Sequence, residues 1–223
     1  MSDLSLHPLW TIILTFGIAL IPLLVGLTTS YVKVSIVVGM VRSAIGAQQV
    51  PGPMVVMALA ISMTCYIMAP VVDQSFAHLS KLDYTQLESF PSAKEIQKIS
   101  VAFKPWITFL EYHSGKRELL TLQELSKEQA KKQINETKNL THSIRILLPA
   151  FLLTELKEAF TMGLVLLIPF LVIDIVIANI LVGLGMFMVS PVMIALPVKL
   201  LLFVVSDAWL LLTRGLIQSY TGV

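Results

Sequence analysis

Charged residues are scarce in this chain. Of its 223 residues 13% are Asp, Glu, Lys or Arg, whereas soluble proteins carry about 25%, and 56% of its residues are hydrophobic. The net charge of +2 is too small to indicate a nucleic-acid partner. The composition is that of a lipid-contacting membrane protein or of a subunit in a membrane-embedded assembly.

Residues for catalysis and metal binding are also few. The single cysteine, Cys65, excludes an intrachain disulfide and a zinc site built from cysteines. The four histidines lack ligand spacing, and neither a glycine-rich phosphate loop nor a nucleophile elbow around a serine occurs. We therefore expect no enzymatic activity, no cofactor and no bound metal.

Most of the charge that is present lies in the middle of the chain. Residues 73–145 hold 11 of the 16 Lys and Arg and nine of the 14 Asp and Glu. We predict three parts: an N-terminal hydrophobic hairpin (1–72), a polar helical insert (73–145) and a C-terminal hydrophobic hairpin (146–223). The loop with Lys33 and Arg42 is basic and the N-terminal tail is not, which places that loop in the cytoplasm and the insert on the periplasmic side.

Local signals refine this division. Pro22 is expected to kink the first apolar run, and the run that begins at Pro53 is expected to end at Val72. Two capping boxes, starting at Ser92 and Thr121, predict helix starts in the insert. The second is followed by the pattern of an amphipathic helix of about four turns.

Small residues recur every four positions in the first basic loop. They are Ser35, Gly39, Ser43 and Ala47. Such a stripe lets another helix approach closely, which favours packing inside a helical assembly. The alternative is a plain cytoplasmic connection in which the small residues are incidental.

The last third of the chain is the most apolar part. Residues 159–213 contain three charges, Asp174, Lys199 and Asp207, and several prolines and glycines. An ionised carboxylate at bilayer depth needs a partner or water, so Asp174 is either a proton or cation site of a transporter or a structural contact to a neighbouring subunit. We favour the structural contact because few other deep titratable groups exist. Lys199 and Asp207 share a helix face but lie two turns apart, which indicates that they pair with residues of other helices.

Two acids just upstream share a helix face. Glu155 and Glu158 are three residues apart, while Lys157 points away from them at helical geometry. Lys157 therefore cannot neutralise both acids, and we expect their partners on adjacent chains. A band of charges at the membrane surface is the alternative.

Three bulky residues form a break between the last apolar runs. Met186, Phe187 and Met188 follow two glycines and precede Ser190 and Pro191. Methionines in apolar runs usually fill a core. In a break they are also suited to a flexible seal at the narrow point of a channel, because the thioether is soft and adaptable.

Six stretches together resemble the FliP/SctR family, export-gate subunits of the flagellar and injectisome type III secretion apparatus. They are SYVKVSIV (30–37), VRSAIGAQQVP (41–51), LPAFLLTELKEAF (148–160), IPFLVID (168–174), GMFMVSP (185–191) and IALPVKLLLFV (194–204). The resemblance covers residues 20–75 and 145–220 in order; the insert between them is not distinctive.

The resemblance implies an architecture and a set of partners. The fold is then an all-α membrane protein of kinked helical hairpins around an amphipathic-helical insert, assembling into a helical ring of about five copies. The ring includes FliQ/SctS-type and FliR/SctT-type subunits, works with a larger export gate protein, and passes unfolded secreted proteins across the bacterial inner membrane. The hairpins need not span the bilayer individually, since irregular backbone at membrane depth is tolerated only inside protein or along a cavity.

The resemblance also assigns the break. Met186, Phe187 and Met188 occupy the family's methionine-rich gasket, which narrows the channel when no substrate passes; Phe187 departs from the usual three methionines. The short length and the lack of a signal peptide favour the injectisome branch. The rival interpretation, an ion-coupled secondary transporter using Asp174, predicts inverted internal repeats, and the two apolar halves differ in length and motif.

Overall fold

The computed structural model describes residues 8–46, 51–80, 101–132 and 140–221 of the chain. Within these ranges the chain is helical and contains no strand, which confirms the prediction of an all-α protein. The helices are α1 (Pro8–Thr28), α2 (Tyr31–Ile45), α3 (Pro53–Leu79), α4 (Lys104–Tyr112), α5 (Lys116–Lys132), α6 (Leu140–Gly183), α7 (Pro191–Val205) and α8 (Ala208–Thr221).

Two helices are long and apolar enough to cross a membrane. They are the 27-residue α3 and the segment Ile144–Gly183 of α6. Two bent pairs reach the same apolarity when their helices are taken together: α1 with α2, bent by 74°, and α7 with α8, bent by 61°. The described residues thus provide two to four candidate spans, as a membrane protein of kinked helices requires.

The bend between α1 and α2 falls at Thr29 and Ser30, whereas Pro22 lies inside a continuous α1. Trp106 of α4 donates its indole N–H to the carbonyl oxygen of Thr28 at 3.0 Å. Thr29 donates its hydroxyl to the carbonyl oxygen of Val25 at 2.6 Å. These bonds provide partners for carbonyls of the last turn of α1 and hold α4 against the bend.

Prolines interrupt the helices less than the sequence suggests. α3 runs through Pro70 to Leu79, seven residues past Val72, where the predicted apolar run ends. The other prolines inside helices are Pro22, Pro149, Pro169 and Pro197. A proline removes one backbone donor, but a helix flanked by other helices can satisfy the freed carbonyl and continue.

The core forms where α2 lies along α6, with α3, α4 and α8 packed around this pair. α2 buries one valine-rich face, and Phe151 of α6 is fully buried against it. Gly163 of α6 lets the two helices approach closely, since a Cβ at this position would collide with the Met40 side chain. This close pairing brings residues of α2 beside the polar residues of α6.

The insert contains the predicted amphipathic helix, with a different start. α5 begins at Lys116, so the capping box at Thr121 is wrong: Thr121 lies inside the helix and donates its hydroxyl to the carbonyl oxygen of Arg117 at 2.9 Å. The box at Ser92 lies outside the described residues. Helices cross both predicted boundaries, because α3 ends at Leu79 and α6 begins at Leu140. The three-part division remains a prediction.

Candidate functional site

A buried ion-pair cluster joins α2, α6 and α8. The Lys33 ammonium lies 2.6 Å from Oε2 of Glu158, as a hydrogen bond, and 3.1 Å from Oε1 of Glu155, as an ion pair. The side chains of Lys33 and Glu155 are fully buried, and that of Glu158 is half exposed. Tyr220 donates its hydroxyl to Glu155, and Lys33 Nζ lies 4.1 Å from the centre of the Tyr220 ring. We call these four residues the Lys33 cluster.

The cluster follows from helical spacing on three elements. Lys33 occupies the same face of α2 as Val37 and Val41, four and eight residues further on, and that face is buried against α6. Its ammonium therefore enters the core, where an unpaired charge would be very costly. The sequence analysis missed Lys33 and Tyr220 as site residues. The available signal for Lys33 was a lysine at a core position of an otherwise apolar face.

His113 extends the cluster towards α4. Its ring makes an edge contact with Tyr220, with ring centres 4.9 Å apart, and lies 4.6 Å from the Phe109 ring. The pKa of His113 is lowered from 6.5 to about 4, mainly by burial and next by the Lys33 charge, while the Glu158 charge opposes the shift. His113 is therefore neutral at physiological pH.

This pKa predicts weaker folding in mild acid. Between pH 6.5 and about 4 the unfolded chain binds a proton at His113 and the folded chain does not, so stability falls as the pH drops through this window. We expect the thermal midpoint of the detergent-solubilised protein to fall between about pH 7 and about pH 5, and to fall less in His113→Phe, which keeps a ring beside Tyr220. Equal falls in both proteins would contradict this assignment.

The structure gives the predicted acids partners within their own chain, whereas the sequence analysis expected partners on adjacent chains. Glu155 and Glu158 meet Lys33, and Lys157 Nζ lies 3.1 Å from Oε1 of Glu118 in α5. Two hydrogen bonds lower the pKa of the Glu118 carboxyl: the larger effect comes from the backbone amide of Glu118 and the smaller from Lys157. Spacing within residues 155–158 could not show these partners, because folding brings them from α2 and α5.

Asp174 is also paired within the chain. Lys199 of α7 donates to Oδ2 of Asp174 in α6 at 2.6 Å and to the carbonyl oxygen of Ala44 at 3.1 Å. Ala44 lies in the last turn of α2, where unpaired carbonyls favour a cation. Lys199 of α7 thus pairs with a residue of another helix, Asp174 of α6.

Asp207 has a backbone role instead. It lies between α7 and α8 with φ of 47°, and its carbonyl oxygen accepts hydrogen bonds from the amides of Leu210 and Leu211. Its carboxylate is exposed and has no partner among the described residues. The sequence analysis expected Asp207 to pair with a residue of another helix, and the described part of this chain supplies no such partner.

The break between α6 and α7 is an ordered turn. Gly185 adopts φ of 74°, its amide donates to the carbonyl oxygen of Val182, and the amide of Met186 donates to that of Leu181. This is a Schellman motif, which ends a helix at a glycine because other residues are strained at that φ. The turn aims the next three side chains away from the core.

Those three side chains are the predicted gasket residues. The exposed fraction is 42% for Met186, 77% for Phe187 and 100% for Met188. Exposed apolar side chains at a turn add little to the stability of the chain itself, and contiguous apolar patches are typical of contact sites. The turn therefore presents an adaptable apolar tip to something outside the chain.

The small-residue stripe lies off the core-facing side of α2. Ser35 and Gly39 are partly exposed and Ser43 is exposed, while a Cβ on Gly39 would meet nothing within 4 Å. Ala47 lies outside the described residues. The stripe is thus open to another helix in an assembly. Among the described residues, no group of three or more His, Cys, Asp or Glu could hold a metal ion.

The fold and these sites define an all-α membrane protein whose buried charges are paired across its own helices and whose helix-capped tip is apolar and exposed. The chain belongs to the FliP family, whose sequence profile matches residues 13–216. That match covers all six stretches on which the resemblance rested.

Individual relatives agree with this membership. Yop proteins translocation protein R of Yersinia pestis is 39% identical over 208 residues, which covers 92% of this chain and 93% of the relative. Surface presentation of antigens protein SpaP of Shigella flexneri is 35% identical and covers 92% of both chains. Flagellar biosynthetic protein FliP of Caulobacter vibrioides is 38% identical over 91% of this chain and 73% of the relative.

Proposed function

We propose that this chain is the core pore-forming subunit of a type III protein secretion export gate, which passes unfolded proteins across the bacterial inner membrane. Similarity along more than nine-tenths of the chain to relatives named for translocation and secretion is the observation that carries this proposal. The relatives named for Yop translocation and surface presentation of antigens support the injectisome branch. No catalytic step is part of this function.

The chain works as several copies, about five, in a ring with FliQ/SctS-type and FliR/SctT-type subunits. α6 supports this part of the proposal. Its 44 residues extend about 66 Å, roughly twice the hydrocarbon thickness of a bilayer, and most of its large apolar side chains are exposed. Lipid alone cannot cover such a length, so protein from neighbouring subunits covers the rest.

The exposed tip is the gasket of the pore. In the ring, Met186, Phe187 and Met188 of each copy converge on the channel and close it when no substrate is passing. Their exposure and the helix-capped turn that carries them support this role. The open stripe of Ser35, Gly39 and Ser43 then faces the helix of a neighbouring subunit.

The transporter interpretation is less well supported. A coupling carboxylate must exchange its proton or cation during transport, whereas Asp174 is held by Lys199 at 2.6 Å within the chain. The names of the relatives also support export of proteins and not ion-coupled transport.

The native mass of the detergent-extracted protein tests the proposal. We expect a multi-copy ring when the chain is produced alone, and a larger complex when FliQ/SctS-type and FliR/SctT-type subunits are produced with it. A monomer or dimer under both conditions would contradict the ring. It would favour the transporter interpretation, for which titration of Asp174 is the next test.

A further inference from the structure

A cavity of about 460 Å³ opens between the C-terminal part of α3 and α4, a volume within the range of small-molecule sites. The hydrogen-bonding side chains that line it are Gln74, His78, Lys104, Thr108, Tyr112 and His113. Among the described residues that line the cavity, none is Asp or Glu. The lining thus combines one fixed cation with several hydrogen-bond donors, the set that an anionic group requires.

These donors are free for a ligand. In the described part of the chain, the side chains of Gln74, His78, Lys104 and Thr108 make no hydrogen bond or ion pair. A bound anion would therefore break no internal bond. Tyr112 and His113 are not part of this free set, because their rings contact each other and the His113 ring also contacts Tyr220 and Phe109.

The position of the cavity identifies the source of the anion. α3 is a candidate membrane span, and the cavity lies where its apolar run ends and Gln74 and His78 follow. Met54, near the start of α3, and Pro70, at the edge of the cavity, are 16 residues apart, which is about 24 Å of helix. This length is comparable to the hydrocarbon thickness of a bilayer, so the cavity lies near one membrane surface when α3 spans. Tyr112 in the cavity lining and Tyr66, about one helical turn before Pro70 on α3, are exposed, as tyrosines are at the level of lipid headgroups.

We infer that this cavity binds the phosphate headgroup of an anionic phospholipid. The phosphate accepts from Lys104, His78 and the neighbouring donors, while the acyl chains lie along the exposed apolar side chains of α3. Because His113 forms part of the wall and touches Tyr220, the headgroup lies next to the Lys33 cluster. The site is separate from the proposed gasket and does not depend on it.

The test uses the full-length protein, stripped of lipid in a neutral detergent. We expect added phosphatidylglycerol to raise the thermal midpoint of the wild-type protein by about 3–6 °C, because a ligand of the folded state stabilises it. Lys104→Gln and His78→Gln should lose most of this shift. Lys116→Gln, which removes an exposed lysine that does not line the cavity, should keep the wild-type shift.

The controls separate the possible sources of the anion. Both cavity variants alter exposed side chains, so their midpoints without lipid should match the wild type. Inorganic phosphate should give no shift, and phosphatidylcholine a smaller one than phosphatidylglycerol. The inference is overturned by equal shifts in wild type and Lys104→Gln, by no shift in the wild type, or by inorganic phosphate or phosphatidylcholine matching phosphatidylglycerol.

Discussion

Replacing Lys33 by methionine is expected to destabilise the folded chain by about 3–5 kcal/mol, the usual cost of removing one partner from a buried ion pair. Glu155 is fully buried and would lose its cation while Glu158, a second acid, remains nearby. Methionine preserves most of the length of the lysine, so the loss reports the charge and not a cavity. The thermal midpoint in detergent and the yield of monodisperse protein measure the effect.

A matched variant separates burial from charge. Lys157 makes the same kind of pair with Glu118, but its side chain is 62% exposed, and solvent screening leaves exposed pairs with little effect on stability. Lys157→Met should therefore change the thermal midpoint little. A Lys33→Met protein as stable as Lys157→Met would show that the Lys33 cluster does not hold the helices together.

A double variant tests the cause. Lys33→Met combined with Glu155→Leu removes both buried charges, and replacing a buried pair by apolar residues is often nearly neutral. The double variant should recover most of the lost stability. It should not recover all of it, because the Tyr220 hydroxyl loses its acceptor, which costs about 1–3 kcal/mol when a buried donor is left unpaired. No recovery would mean that Lys33 acts through something other than the charge of Glu155.

The contrast between Lys33 and the break at Gly185 shows what the sequence can predict. The break between α6 and α7 is specified locally by Gly183, Gly185 and Pro191. A glycine with positive φ ends α6 and a proline begins α7, so the predicted break lies where the structure has it. The apolar runs predicted membrane helices for a similar reason, since composition over about 20 residues decides the matter. Such features need no knowledge of distant residues.

The ion pairs could not be predicted, because their partners are distant in the sequence. Lys33 and Glu158 are 125 residues apart, and only the packing of α2 along α6 joins them. The effect of a proline on a helix also depends on distant residues. Whether Pro70 ends a helix depends on whether neighbouring groups satisfy the backbone carbonyl that loses its donor. α3 packs against α2 and α4 and continues through Pro70 to Leu79.

Replacing Met186 and Met188 together by alanine is expected to leave assembly intact and to make the closed gate leak small ions. Met188 is fully exposed, and alanine at both positions removes bulk from the tip without opening a cavity in the core. In the proposed ring, each copy loses two long side chains from the seal, so the effect is multiplied by the number of copies. Conductance of the reconstituted complex in a planar bilayer measures the leak.

Met193→Ala is the matched control. Met193 is 71% exposed in the first turn of α7 and lies outside the tip, so this variant changes the same residue type without touching the proposed seal. Its conductance should equal that of the wild type. An unchanged, tight gate in the Met186 and Met188 double variant, with normal complex yield, would exclude the gasket role.

Variants at Phe187 test how the proposed seal is built. Aromatic rings from neighbouring copies pack edge to face or offset and are stiffer than thioethers, so a ring of phenylalanines at the lumen would carry much of the closure. Phe187→Ala should then leak at least as much as the double methionine variant, and Phe187→Met should restore closure. If the Phe187→Ala gate stays tight while the methionine variant leaks, Phe187 lies behind the lumen and packs against the neighbouring subunit. In that case Phe187→Ala should lower the yield of the complex and leave the seal closed.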